Sequence, residues 1–357
     1  MIEIDGLSFS AGAFRATDLS FSIPRGKYFV LLGPTGAGKT LLLKCLCGLV
    51  RAQAGSIRMD GRDITHLQPR LRGIGYVPQE ARLFPHLDVK GNIAFSMRVR
   101  GMSMSRCLTQ LREVIDTLAL EGLLDRRVAG LSGGERQKVA VARALACGCK
   151  LLLLDEPASS LDTPTRQHLC AELVRVQRAF DVVAIHVCHN LEEAMSVGDQ
   201  AGVLAEGRLA QSGSIEQLLA HPRNQTVARL LGGENFLTGL ARPAGGGKSI
   251  VTLADERIEI DGQFAGPVEF TIRPEALRVR PGLQAATNHL HATLRRVQNR
   301  GAYHRLELDA AVPLVAYVGA AQSPELSPGQ ACMVELPAGA VHVFEKASVV
   351  FNADVVL

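Results

Sequence analysis

The sequence predicts an α/β domain followed by an all-β barrel domain, and three observations carry that prediction. An apolar run, Tyr28–Leu32, enters a glycine-rich turn, and Lys39–Cys47 then reads as a helix closed by Gly48. From Leu151 onward, strand and helix patterns alternate through Leu151–Leu154, Thr163–Phe180, Val182–Val187 and Leu191–Val197. Alternation of this kind predicts a parallel sheet covered by helices. Beyond Asn235, short strand candidates are punctuated by Gly and Pro about every ten residues, as small barrels require.

The chain opens on period-two stretches (Ile2, Ile4; Leu19, Phe21, Ile23) with turn residues between them, which predict antiparallel strands. Ser56–Met59 followed by Asp60-Gly61 predicts a hairpin. Between about Asp88 and Ala146 the pattern becomes helical: Leu108, Leu111, Ile115 and Leu118 recur at helical spacing with charges between them. Gly232-Gly233-Glu234-Asn235 reads as a linker and divides the chain into domains over 1–232 and 236–357. In the second domain the strand candidates are Ser249–Leu253, Arg257–Ile260, Val268–Ile272, Thr293–Val297, Leu306–Leu308 and Val341–Phe344.

Bulk properties narrow the function classes. At 357 residues, 47% of them hydrophobic, the chain can bury two cores. Lys and Arg outnumber Asp and Glu by 28 to 23 over residues 1–235, and are 11 against 12 over 236–357. Neither part is basic enough for non-specific nucleic-acid binding, so no nucleic-acid partner is expected. The longest apolar stretches, including Ala310–Ala321 with its Pro313 and Gly319, fall short of the ~20 residues that span a bilayer. No signal peptide opens the chain, so a membrane role is expected only through a partner. Cys45/Cys47 and Cys147/Cys149 are spaced two apart on expected helices, where side chains diverge, and reduced buried thiols are expected rather than a metal site.

The chemistry-bearing residues begin with Gly33-Pro34-Thr35-Gly36-Ala37-Gly38-Lys39-Thr40. A triphosphate needs many donors at short range. Glycines let backbone amides curl round it at a helix N-terminus, Lys39 can reach the β- and γ-phosphates, and the Thr40 hydroxyl can ligate Mg²⁺. Asp155 ends a four-leucine strand and so reaches the same sheet edge, which suits Mg²⁺ coordination. Glu156 follows it as a candidate base for the attacking water. Leu131-Ser132-Gly133-Gly134-Glu135 opens a helix with Ser132 as N-cap, and its bare amides form a second anion cradle.

With Gln79 and His189, these motifs occur in a fixed order that resembles the ATPase domain of ABC transporters over roughly Met1 to Leu231. The resemblance implies a P-loop ATPase domain with an antiparallel β subdomain and a helical subdomain. It implies ATP and Mg²⁺ as ligands, with Thr40, Gln79 and Asp155 at the metal and Glu156, Gln79 and His189 in catalysis. Ser132, Gly133 and Gly134 would meet the γ-phosphate on the opposite subunit of a homodimer. Asp162 matches the loop that crosses the dimer and equally suits a helix N-cap. An aromatic usually stacks on adenine; Phe14 is the candidate, with Phe9 nearby, and either ring also suits the core. Glu135, Cys188 and Asn190 stand where the family commonly has Gln, Thr and Asp.

Tyr76-Val77-Pro78-Gln79 and Leu83-Phe84-Pro85-His86-Leu87 resemble importer ATPases, which implies two integral-membrane permease subunits as partners. A periplasmic or extracellular substrate-binding protein would act indirectly, and the chain would lie on the cytoplasmic face of the membrane. The run Gly26–Thr40 is most similar to molybdate/tungstate importer ATPases, while sulfate, ferric iron and polyamine importers share the architecture. A soluble, non-transport ABC ATPase is the remaining class; its common forms carry two ATPase domains or a long coiled coil, and this chain has one motif set and no sustained heptads. Residues 236–357 resemble the paired oligonucleotide-binding-type (TOBE-like) barrels of importer ATPases, supported by Arg273-Pro274-Glu275 and Leu326-Ser327-Pro328-Gly329. That domain would thicken the dimer interface or sense the imported anion. Arg295, Arg296, Arg300, His304 and Arg305 are the basic group offered for such an anion, or else a solvated strand face.

Overall fold

Tyr28–Leu32, Leu151–Asp155 and Val183–Val187 are buried at every position, and they form the middle of one sheet. In this computed structural model, which describes residues 1–99, 101–282, 287–322 and 327–344, that sheet has six strands. Their order is Arg208–Ser214, Gln200–Ala205, Tyr28–Leu32, Val183–Val187, Leu151–Asp155 and Ile74–Val77. All neighbours are parallel except the first pair. Continuous apolar strands suit a sheet covered on both faces, so the four-leucine run needs no polar alternation.

The period-two stretches pair as antiparallel strands, with Ile2 opposite Ile23 and Ile4 opposite Phe21. With Ala52–Met59 and Arg62–Asp63 they make a second, four-stranded sheet. Its inward residues Leu7, Phe9, Leu19 and Ile57 share a core with Leu42, Leu43 and Leu46 of the helix Lys39–Cys47. That helix ends at Gly48 in the left-handed region, as the sequence predicts. Arg72 closes the same end. Its guanidinium donates to the carbonyls of Cys45, Leu46, Thr65 and Leu67 at 2.7–2.9 Å, the first two at a helix end where the dipole favours a cation.

The helical segment differs in detail from expectation. The stripe through Leu111, Ile115 and Leu118 is buried, but it is carried by two short helices, Met104–Gln110 and Arg112–Thr117, joined at Leu111. Helix Gly133–Leu145 ends before Cys147, so Cys147 and Cys149 lie past its terminus and not on it. The eight cysteines are free thiols, and among the described residues no group of three or more His, Cys, Asp or Glu could hold a metal ion. No described helix is long and apolar enough to cross a membrane.

The chain divides into two units, Met1–Leu218 and Leu219–Leu357, a boundary earlier than the glycine pair at 232–233. The second unit holds two five-stranded antiparallel sheets whose inner faces share one core, including Leu237, Val251, Phe270, Leu294, Leu306 and Val334. The expected linker is not a loose segment. Asn235 is 2% exposed; its side chain donates to Ile272 O and Val315 O and accepts from the Val315 amide, joining the two sheets. Glu234 takes the Arg305 guanidinium at 2.5 Å and the Tyr317 hydroxyl. Arg305 also pairs with Glu307, so it does not stand in an open basic group with Arg295 and Arg296, which point to solvent. Leu326 and the residues after Phe344 lie outside the described residues, and with them part of the Leu326-Ser327-Pro328-Gly329 likeness and the end of the 236–357 expectation.

Arg72→Met keeps the apolar stem but strips four carbonyls of their donor, which should lower unfolding free energy by roughly 3 kcal/mol. Denaturant melts of the two chains check this, and a change below about 1 kcal/mol would contradict it.

Candidate active site

The glycine-rich turn is shaped by two residues in the left-handed region, Gly36 at φ 81° and Gly38 at φ 96°. At Gly38 the constraint is double, because a Cβ there would come within 2.1 Å of the Phe14 ring. Phe14 therefore lies directly against the loop, whereas Phe9 is fully buried in the core behind it. Lys39 is 5% exposed and folds back along its own loop, donating to Gly33 O at 2.8 Å and Pro34 O at 3.0 Å. Burial lowers the Lys39 pKa, and the carboxylates of Glu156 and Asp155 oppose that shift.

Parallel pairing brings the remaining residues to one sheet edge. Val77 pairs with Leu154 and Asp155 with Val187, so the segments leading to Gln79, Glu156 and His189 leave the sheet side by side at its carboxyl end. Asp155 is 4% exposed. One of its oxygens accepts from the Thr40 hydroxyl at 2.8 Å and the other from the Tyr76 hydroxyl at 3.0 Å. Burial, and then the Asp155 charge, push the Tyr76 pKa well up, so the hydroxyl stays a donor at any physiological pH.

Glu156 has φ 49°, a strained conformation for a residue with a Cβ, held by its amide donating to Val187 O at 3.0 Å. This turn aims its carboxylate between two partners. Oε2 accepts from Gln79 Nε2 at 3.0 Å, and Oε1 lies 2.5 Å from His189 Nε2. Gln79 is in turn held through its carbonyl by Gln137 Nε2 at 2.9 Å, and its amide lies 3.5 Å from Ser159 Oγ. His186, by contrast, is fully buried; its Nδ1 meets Tyr28 Oη at 2.8 Å and its Nε2 lies 3.0 Å from Glu193. Of the two histidines, His189 alone meets Glu156.

A second set forms the start of helix Gly133–Leu145. Ser132 caps it by accepting from the Glu135 amide, and the Glu135 carboxylate returns to the Ser132 amide at 2.7 Å. Glu135 therefore has a local task, completing a capping box. Asp162 caps the helix Thr163–Ala179 by accepting from the Thr165 amide at 2.9 Å, and that bonding holds its carboxyl below the usual range. Asn190 caps Leu191–Val197 by accepting from the Glu192 amide at 2.8 Å. Among the described residues, no hydrogen bond or ion pair joins Ser132, Gly133, Gly134 or Asp162 to Gly33–Thr40, Asp155, Glu156 or His189.

Comparison with known proteins agrees with this geometry. Residues 16–159 match the ABC transporter family model and residues 270–344 match a TOBE domain. The molybdate/tungstate import ATP-binding protein of Pyrococcus horikoshii is 37% identical over 349 residues, covering 96% of this chain and 100% of that protein. The chain belongs to the ABC transporter family. The molybdate/tungstate import ATP-binding protein of Archaeoglobus fulgidus is 45% identical over 232 residues, covering 65% of this chain and 94% of that protein. A sulfate/thiosulfate import ATP-binding protein of Chromobacterium violaceum is 37% identical over 96% of this chain and 95% of its own length. A solved nucleotide-free ATP-binding cassette shares the fold at a TM-score of 0.58 and 20% identity, covering 66% of this chain and 99% of that one. A dimeric cassette bound to ADP and phosphate shares it at 0.53 and 23%, covering 60% and 99%. ATP binding and hydrolysis follow from that membership.

Sequence reasoning missed two members of this ABC site. Tyr76 stood in the motif around Gln79, but only the parallel register shows its hydroxyl reaching Asp155. Gln137 stood two residues past the capping box, with no signal that it holds Gln79. Tyr76→Phe leaves a buried carboxylate oxygen unpaired and should cost the nucleotide-free protein about 1–2 kcal/mol. Thermal melts should show the loss, and a melting temperature equal to the parent's would contradict the role.

Proposed function

We propose that this chain powers uptake of a tetrahedral oxyanion such as molybdate or tungstate, as a homodimer of ATPase subunits bound to two integral-membrane permease subunits on the cytoplasmic face. The single observation that carries the chemistry is the Glu156 carboxylate, held between Gln79 and His189 beside the Asp155–Thr40 pair. The substrate class rests on the names of the relatives: molybdate/tungstate importers and a sulfate/thiosulfate importer all move tetrahedral dianions. Which of those anions this chain serves is the part to be tested. A neighbouring substrate-binding protein, reached only through the permease, selects the cargo.

In this reading Gly33–Gly38 wrap the phosphates with backbone amides at the N-terminus of helix Lys39–Cys47, and the Lys39 ammonium moves from the Gly33 and Pro34 carbonyls to the γ-phosphate. Phe14, packed on Gly38, is placed to meet the adenine. Thr40 and Asp155, with the Gln79 amide oxygen, offer the hard oxygen donors that fit Mg²⁺. When bound, Mg²⁺ supplies charge neutralisation of the phosphate oxygens. Glu156 accepts a proton from the attacking water, and His189 and Gln79 hold that carboxylate in place. Ser132, Gly133, Gly134 and Asp162 serve the nucleotide of the opposite subunit; among the described residues no hydrogen bond or ion pair joins these four to Gly33–Thr40, Asp155, Glu156 or His189.

Residues 1–232 would then be the nucleotide-binding domain and 236–357 a TOBE-like domain for dimer contact or regulation. The permease surface would include Phe84, whose ring lies 4.4 Å from that of the exposed Phe95. Asn92 holds this turn by bonding both the Phe84 amide and carbonyl, so the aromatic pair is presented on a fixed loop.

Glu156→Gln should bind ATP normally, lose hydrolysis at least about 100-fold, and accumulate as an ATP-bound dimer on size exclusion. Parental turnover by that variant would remove Glu156 from its role. Phe84→Asp should leave ATPase activity of the isolated subunit intact and weaken assembly with the permease; unchanged transport in reconstituted vesicles would contradict the docking surface. Molybdate, tungstate and sulfate uptake in those vesicles, measured with the cognate binding protein, distinguishes the substrates.

A further inference from the structure

Lys138 and Glu172 form a largely buried ion pair that the chemistry described above does not use. Lys138 Nζ lies 2.7 Å from Glu172 Oε1, with the two side chains 16% and 4% exposed. The same oxygen also takes His168 Nε2 at 3.2 Å, while Glu172 Oε2 is buried without a hydrogen-bond partner. Enclosed ion pairs of this kind rarely repay their desolvation in stability alone.

The placement of the pair is informative. Lys138 lies one helical turn beyond Gly134, on the same face of helix Gly133–Leu145. Glu172 lies two turns beyond Thr165, on the same face of helix Thr163–Ala179. The starts of these helices already touch: a Cβ at Gly133 would lie 3.1 Å from Leu161, and one at Gly134 would lie 3.2 Å from the Thr165 methyl. Glycine at 133 and 134 allows the close approach, and these two positions offer no side chain to fix the roll of one helix on the other. Lys138–Glu172 supplies a directional contact farther along both helices. One helix carries Ser132–Gly134 at its start and the other carries Asp162.

We propose that Lys138 and Glu172 are positioning residues that lock the Ser132 helix to the Asp162 helix, so that both present a single surface to the nucleotide of a second copy of this chain. The inference rests on the shared-site reading given under Proposed function. It assigns the pair no role in nucleotide binding within its own chain, since neither residue touches the phosphate loop, Asp155 or Glu156. The pair acts on the trans contact alone, by fixing the angle at which two capped helix starts meet the partner.

The test uses the full-length chain with Glu156→Gln as parent, measuring ATP-dependent dimerisation by sedimentation and binding of a fluorescent ATP analogue in parallel. Adding Lys138→Met or Glu172→Gln should raise the dimer dissociation constant at least tenfold, by the cost of stranding one buried charge. Protomer affinity for the analogue should change less than about twofold, and Lys138→Arg should restore most of the dimerisation. With Glu156 intact, the same variants should raise KM for ATP while leaving kcat at saturation near the parent's. Equal dimerisation of the Lys138→Met variant overturns the proposal. So does a parallel loss of protomer nucleotide binding that Lys138→Arg fails to rescue, which would mark the pair as fold support only. A parent that stays monomeric with ATP overturns the shared-site reading, and this inference with it.

Discussion

The Asp155 carboxylate is the point on which the rest of this site depends. It is buried, and its two oxygens accept from hydroxyl donors on opposite sides, Thr40 on the phosphate loop and Tyr76 on the neighbouring strand. Each donor fixes the segment it comes from. Thr40 ties the start of helix Lys39–Cys47 to the sheet, and Tyr76 ties the strand that leads to Gln79. Glu156 follows at once in a left-handed turn, so the position of the base is set by the same residue that anchors the loop.

A second constraint is that the proposed anion-binding groups fall into two sets: among the described residues no hydrogen bond or ion pair joins Ser132–Gly134 or Asp162 to the phosphate loop, Asp155, Glu156 or His189, although Gln137, farther along the Ser132 helix, reaches Gln79. Thr40, Asp155 and Tyr76 form one hydrogen-bonded group and Gln79, Glu156 and His189 a second, and the adjacent residues 155 and 156 join the two into one set. Ser132–Gly134 and Asp162 form another, organised by helix caps and by the Lys138–Glu172 pair. Helix starts with unused amides have a use when an anion meets them. A symmetric dimer meets that need with one interface, each copy offering its second set to the other's first.

Much of this was legible in the sequence because the chemistry is local there. The glycine loop, the strand ending in Asp155, and the helices Lys39–Cys47 and Leu191–Val197 depend on neighbours in the chain, through caps, glycine conformations and apolar runs. The departures at Glu135 and Asn190 were visible as unusual residues, and the structure accounts for both as cap partners. What could not be read depends on contacts between distant segments. Tyr76 reaches Asp155 across 79 residues and Gln137 reaches Gln79 across 58. Glycine at 232 and 233 suggested a loose linker, while Asn235 and Glu234 are bound by residues some forty to eighty positions later. Arg305, grouped with neighbouring basic residues in the sequence, is engaged for the same reason, since its carboxylate partner Glu234 lies 71 residues away.

The central claim is that a working site takes its two halves from two copies of the chain, and complementation tests it most directly. Lys39→Ala spoils the first half and Ser132→Arg spoils the second, so each variant alone should be inactive. Mixed in equal amounts with free exchange of subunits, half of the dimers are mixed and hold one intact site of two, so about a quarter of the parental ATPase rate should return. If both halves belonged to a single chain, no mixture of the two variants would contain an intact site, and the mixed sample would stay as inactive as its components.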